Sequence, residues 1–310
     1  MKRLRIGSRG SKLALWQAKH IGERLARECG AEFEIVVIKT SGDNFQSAPV
    51  AEIGGKGIFI REIEDALLDG RVDIAVHSMK DVPTATPRGL CFPAVTKRED
   101  PRDCLVSRRG ESLANLPHGA RIGTSSLRRQ SQLRYFRKDL QVVEMRGNVD
   151  TRMRKLEAGE FDAIVVAKAG LDRLGLGDKI AEVLAPEIML SAIGQGALAI
   201  EARERDEALR EMLTSFDDSE TRAAVTAERA LLTELEGGCQ VPLGAWGRIE
   251  NGALRLDARV LAADGSECIA RNATGSAASA EEIGRRLARE LLDAGADRLL
   301  RLAGRSVGGI

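Results

Sequence analysis

VDIAVHSMKD at residues 72–81 is a short, nearly continuous apolar run that ends in a serine, a lysine and an aspartate, and FDAIVVAKAG at 161–170 has the same form. Apolar runs of this length, bounded by polar turns, read as strands buried on both faces. Upstream of each, related words recur. RIGSRGS at 5–11 is matched by RIGTSS at 121–126, and FEIVVIK at 33–39 is matched by QVVEMRG at 141–147. Helical patterns separate them. Leu13, Trp16, His20/Ile21 and Leu25 fall on one helix face, and Ser11 stands where its oxygen can cap the first turn. Phe59, Ile63 and Leu67 mark a second helix, and 149–158 a third. A β-α-β-α-β order met twice predicts two related α/β domains, each a parallel sheet with helices on both faces. A ligand crevice is expected between them, at the carboxyl ends of the strands.

Two links join the halves, 95–103 and 190–197. Both are candidate hinges, because the chain after 197 must return to the first domain. The expected domains are 1–97 with 197–216, then 102–192, then 219–310. In the last, a helix over 220–235 precedes GGCQVPLGAWG. The alternation and D-G turn of LRLDARVLAADGSECIARNATG predict antiparallel strands, and 281–294 predicts a closing helix. This third domain is small and α+β.

The chain has 310 residues, 43 % of them hydrophobic, enough for several cores. A net charge of +1 gives no general attraction to nucleic acid or membrane, and 3 % aromatics disfavour base-stacking platforms. Five cysteines without a CxxC pair argue against a disulfide scaffold and a thiolate metal site, so no metal is expected. MKRLRIGSRG holds no apolar signal segment, and no run approaches the ~18 apolar residues of a membrane span. A cytoplasmic protein is expected.

Arginines and small hydroxyl residues crowd the loops after the predicted strands: Arg9 and Ser11, then Thr124, Ser125, Ser126, Arg128 and Arg129, then Arg146, Arg152 and Arg173. A guanidinium fork matches a carboxylate with two parallel bonds, and helix N-termini add N–H groups aimed at an anion. A ligand with several negative charges is implied; carboxylates and phosphates both satisfy this pattern. Pairing with surface Asp or Glu is the plainer alternative. Asp81, beside Lys80, is a candidate acid/base or a stabiliser of a developing cation, or else simply a turn residue. His77 lies within the strand, where a core histidine and a reactive one read alike. Cys239 follows two glycines that let the backbone approach a ligand, and is a candidate nucleophile or covalent anchor, or a small buried side chain.

Along nearly its whole length the sequence resembles the porphobilinogen deaminase family. The resemblance rests on RGSKLALWQ (9–17), KTSGD (39–43), GGKGIF (54–59), DIAVHSMKDVP (73–83), GTSSLRRQSQL (123–133), RGNVDTR (146–152), AGLDRLG (169–175), IGQGALAIE (193–201) and GGCQVPLGA (237–245), in the family's order. It implies two periplasmic-binding-protein-like (type II) domains with mixed, mainly parallel sheets, plus a small α+β C-terminal domain. It implies a transferase of tetrapyrrole and heme biosynthesis that joins four porphobilinogen molecules head to tail into hydroxymethylbilane, with loss of four ammonia. The reaction is primed by a dipyrromethane cofactor attached through a thioether to Cys239.

By the same resemblance Asp81 is the catalytic aspartate. Ser78, Lys80, Asp81, Thr124, Ser126, Arg128, Arg129 and Arg146 hold the cofactor, while Arg9, Ser11, Arg146, Arg152 and Arg173 contact the substrate and growing pyrrole chain. A monomer is implied, with no obligatory protein partner, no nucleic acid and no membrane. The loop 42–57 is a candidate lid. Lys168, Ala199 and Met153 depart from the family's commonest wording, and Lys168 brings a charge near the strand end.

Overall fold

The chain opens with β1 (Leu4–Ser8), followed by α1 (Lys12–Cys29), β2 (Phe33–Val37), α2 (Arg61–Leu68), β3 (Ile74–Ser78) and β4 (Leu90–Val95). The computed structural model describes residues 3–40, 60–235 and 241–307. The candidate lid at 42–57 and Cys239 with its two glycines lie outside the described residues. Next come β5 (Asp103–Ser107), β6 (Arg121–Gly123), α3 (Leu127–Phe136), β7 (Gln141–Val143), α4 (Val149–Glu157), β8 (Ala163–Ala167), α5 (Lys168–Arg173) and β9 (Glu182–Val183). The chain ends with β10 (Leu198–Arg203), α6 (Glu207–Thr214), α7 (Ser219–Glu234), β11 (Leu243–Glu250), β12 (Ala253–Leu261), β13 (Cys268–Gly275), α8 (Ala280–Asp293) and α9 (Ala296–Val307).

Two compact units result, Met1–Glu99 with Ala197–Arg222 and Asp100–Gly196 with Ala223–Ile310. The first holds a sheet of order β2-β1-β3-β10-β4, the second a sheet of order β7-β6-β8-β5-β9. In each, the first three strands are parallel and the remaining ladders antiparallel. The sheets are mixed and mainly parallel, as the resemblance implies: four of the five strands in each run one way, and only β10 in the first and β5 in the second run against them. The reason lies in where the fourth strand comes from. β10 opens directly after the crossing at 196/197, and β5 shortly after the crossing at 99/100. A strand that enters without a βαβ crossover is not held to parallel pairing. Every residue of β5 and of β10 is buried.

In the first unit α1 lays Ala18, Ile21 and Leu25 against Ile6, Ile74, Val76 and Ile200. The edge strand β4 carries Pro93, and its outward backbone groups are occupied. Arg222 Nη2 donates to the carbonyls of Phe92 and Pro93 at 3.2 and 3.1 Å, and Asp217 Oδ1 accepts the Val95 N–H at 2.8 Å. Such an edge offers no free ladder for a further strand.

The C-terminal residues form the antiparallel sheet β11-β12-β13 with a core of their own, in which Ala227 and Leu231 of α7 and Leu287 and Leu291 of α8 cover Leu254, Leu256 and Val260. The first hairpin turns at Asn251–Gly252, both at positive φ (51° and 77°) as a two-residue loop of this kind demands. Gly284 lets α8 cross α7 closely, since a Cβ there would stand 2.2 Å from the Ala227 carbonyl. The closing helix expected at 281–294 is present, and α9 follows it.

This region groups with the second unit because residues 186–196 are fastened to it. Glu228, fully buried, accepts the Gly194 N–H at 2.6 Å and the Gly247 N–H at 2.7 Å. Ser191 exchanges two bonds with Ala245, and Arg259 Nη1 donates to the Glu187 carbonyl at 3.1 Å. The link expected as a hinge at 190–197 is thus a strap, held along most of its length.

Candidate functional site

In the first unit β3 ends at Ser78 and the chain enters a 3-10 turn, Met79–Asp81. Met79 fixes this turn. Its side chain is buried, its N–H donates to the Ala197 carbonyl at 3.0 Å, and its carbonyl accepts the Val82 N–H at 3.2 Å. Lys80 is partly buried. Asp81 is exposed and forms no ion pair among the described residues. An exposed carboxylate on a rigid turn is suited to a cationic partner.

Gln17 went unnoticed in the sequence because it is a polar residue within the predicted apolar face of α1, four residues from both Leu13 and Ile21. It is buried, and its Nε2 donates to Ser78 Oγ at 2.9 Å. Ser11 is committed locally, since its Oγ accepts the Ala14 N–H at 3.3 Å and caps α1. Arg9 stands partly buried between β1 and that cap.

His77 belongs to the core. Its Nε2 lies 2.9 Å from Glu201 Oε2, with both side chains buried. The other oxygen of Glu201 has no hydrogen-bond partner among the described residues. Glu64 is pushed up to about 7, first by burial and then by the charge of Glu201, with His77 opposing.

The second unit repeats the strand-to-turn arrangement. After β6, Thr124 is buried and its Oγ1 accepts the Ser126 N–H at 3.3 Å. Ser126 occupies the N-cap position of α3 without a side-chain capping bond, which leaves the first N–H groups of that helix uncapped by it. Arg128 and Arg129 follow in the first turn, and both are buried on one carboxylate, Asp103. Arg128 Nη1 donates to Oδ2 at 2.7 Å, and also to the Leu190 carbonyl at 2.5 Å. Arg129 donates to Oδ1 from Nη2 at 2.7 Å and from Nε at 3.2 Å, and its Nη1 reaches the Val165 carbonyl at 3.0 Å.

Asp103 is wholly buried, and the two arginine side chains are 5 % and 8 % exposed. Burial alone would raise the Asp103 pKa. Arg128 and then Arg129 outweigh it and hold the carboxyl well below the usual range. Burial lowers Arg128 from its ordinary value against the pull of Asp103, but a guanidinium starts so high that it stays charged at neutral pH.

Arg152 adds a third cation. Its Nε donates to the Gly147 carbonyl at 2.8 Å, and its pKa is lowered to about 10, first by burial and then by Arg129. It has no carboxylate partner among the described residues. Arg128, Arg129 and Arg152 against Asp103 leave three positive charges to one negative, an excess of two. Arg146 is paired at the surface, Nε to Glu144 Oε1 at 2.7 Å. Arg173 is buried and its Nη2 donates to the Gly196 carbonyl at 2.7 Å. Lys168 is held by Asp172 at 2.6 Å in the first turn of α5.

Burial pushes up the thiols of Cys91 and Cys268, and burial with the neighbouring Asp103 takes Cys104 to about 12. These three are poor sources of a thiolate. No group of three or more His, Cys, Asp or Glu placed to hold a metal occurs among the described residues, and no described helix is long and apolar enough to cross a membrane. A cavity of about 770 Å³ in the first unit, bordered by Cys91, Arg210 and Arg222, includes none of the residues singled out in the sequence.

Two family models match. The one described as porphobilinogen deaminase, dipyromethane cofactor binding domain, covers residues 4–211, and the one described as porphobilinogen deaminase, C-terminal domain, covers 222–293. The porphobilinogen deaminase of Syntrophobacter fumaroxidans is 50 % identical over 300 residues, 96 % of each chain. That of Syntrophotalea carbinolica is 50 % identical over 298 residues, 96 % of this chain and 95 % of its own. Among solved structures, a periplasmic substrate-binding protein of an ABC transporter from Coxiella burnetii is 14 % identical, with TM-score 0.43, covering 69 % of this chain and 91 % of that one.

Proposed function

The chain belongs to the porphobilinogen deaminase family, and from that premise we propose a division of labour among its own residues. It acts as a hydroxymethylbilane synthase, condensing porphobilinogen stepwise on a dipyrromethane cofactor. The observation that carries the proposal is the excess of two positive charges around Arg128, Arg129 and Arg152. Porphobilinogen bears an acetate and a propionate, so every pyrrole added brings two carboxylates. Buried and half-buried cations that outnumber their own carboxylates are stabilised by ligands of that kind.

The donor set suits the dipyrromethane group, whose side chains are the same acids. When bound, it supplies the pyrrole carbon on which the chain is extended. Cys239 is proposed as its thioether anchor. Arg128, Arg129 and Arg146, with Thr124 and Ser126, bind its carboxylates, and Ser78 and Lys80 also hold it. Gln17 sets the hydroxyl of Ser78. Arg9, Arg152 and Arg173 bind substrate and growing chain, and Ser11 acts by capping α1 so that its N-terminus is ordered beside Arg9.

Asp81 is the proposed catalytic carboxylate. Departure of ammonia from the aminomethyl carbon of porphobilinogen leaves positive charge shared with the pyrrole nitrogen. An exposed carboxylate on a fixed turn holds that N–H and its charge, and takes part in the proton transfers. The domain division proposed for this work is 1–97 with 197–216, 102–192 and 219–310, the last presenting Cys239.

Arg152→Gln tests the charge argument, because among the described residues Arg152 is the one of the three cations that shares no carboxylate. The KM for porphobilinogen should rise about ten-fold or more, the worth of one charge-assisted bond, and its dependence on ionic strength should weaken. An unchanged KM with unchanged salt dependence would remove Arg152 from the binding site.

A further inference from the structure

Asp103 gathers three segments onto two oxygens. It stands at the first position of β5, Arg128 and Arg129 come from the first turn of α3, and Gln195 comes from the end of the strap. Gln195 Nε2 donates to Asp103 Oδ1 at 2.9 Å and to the Pro101 carbonyl at 2.7 Å. Arg129 is largely committed to these neighbours, since each of its three nitrogens donates to Asp103 or Val165 and only two of its five N–H groups are left over. Arg128 is not. Only its Nη1 is engaged, and Nε and Nη2 have no partner among the described residues.

We propose that Asp103, steadied by Gln195, is a positioning residue for carboxylate binding: it locks the Arg128–Arg129 pair so that the remaining donors of Arg128 meet a pyrrole carboxylate at a fixed angle. The inference rests on the family reaction and adds to it a residue that touches no substrate. Its physical basis is the geometry of the fork. A guanidinium binds a carboxylate well only when both N–H directions are right, and a buried arginine without a counter-charge reorients toward water. Asp103 supplies the counter-charge, and Arg129 and Gln195 fix the plane of that carboxylate. One carboxylate on Arg128 is therefore that of Asp103, and the other belongs to the ligand.

Two full-length variants test this. Asp103→Asn keeps the shape and removes the charge. Gln195→Leu keeps the charge of Asp103 and removes one of its donors, and decides the matter alone if Asp103→Asn does not fold. Three quantities are read: KM and kcat for porphobilinogen, the position of the pH–rate profile, and the fraction of chains whose intact denatured mass includes dipyrromethane. The expected result is a KM raised about ten-fold in Asp103→Asn and about three-fold in Gln195→Leu, as misdirected charge-assisted bonds cost. The loaded fraction falls in step, kcat per loaded chain changes by less than about three-fold, and the pH–rate profile does not move. Wild-type KM and loading in folded variants that have lost only thermal stability would overturn the proposal and leave Asp103 a buried counter-ion. Wild-type chains load in either case, so a flat result bears on Asp103 and not on the family reaction.

Discussion

Asp103 and Asp81 show opposite uses of one residue type. Asp103 is buried among cations and kept charged by them, while Asp81 is exposed on a turn with no cation paired to it among the described residues. The sequence places Asp103 within the link 95–103 and ranks only Asp81 as functional. Which arginines are buried, and on which carboxylate, depends on where β5 enters the sheet, and no local pattern carries that. The same holds for Gln17, whose partner Ser78 lies far along the chain. For Asp81→Asn the exposed position predicts a thermal midpoint within a few degrees of wild type, because surface substitutions change stability by about 0.5 kcal/mol or less. The rate of bilane formation should fall at least about 100-fold, as when a group facing developing charge is removed. A loaded, folded Asp81→Asn protein that keeps most of its rate would deny the carboxylate that role.

Elements with a local cause were legible. Ser11 announces α1, the repeated apolar runs announce β3 and β8, and alternation announces β12 and β13. Elements defined by distant partners were not. β4, β5 and β9 pass unremarked because each is a strand only by pairing with a segment from another part of the chain. The hairpin at Asn251–Gly252 had its own signal and was overlooked beside the D-G turn downstream. Packing between elements also sets titration. Glu64 of α2 is raised from 4.5 to about 7, chiefly by burial and by Glu201 of β10. The folded state therefore holds a proton on Glu64 that the unfolded chain has released. That contribution is fully present below pH 4.5 and is lost as pH rises to about 7. Glu64→Gln removes the penalty, so its thermal midpoint should exceed wild type at pH 8, with the difference shrinking toward pH 5. Equal differences at both pH values would show that Glu64 is not the group responsible.

For the whole molecule, the repeat in the sequence corresponds to two sheets of matching strand order, and the chain crosses between units within both expected links. The repeat does not reveal that each sheet takes its fourth strand from beyond a crossing, or that the strap at 186–196 fastens the C-terminal region to the second unit. Both are relations between distant residues, satisfied by backbone bonds and one buried carboxylate, Glu228. The central claim, that this chain builds its product on a primer it holds covalently, is tested most directly by the intact denatured mass of the purified protein beside its Cys239→Ser variant. A wild-type mass higher by one dipyrromethane, with no such excess in the variant, is the result predicted. Wild-type protein that stays at the mass of the bare chain after incubation with porphobilinogen, or a variant that gains the same mass, would contradict it.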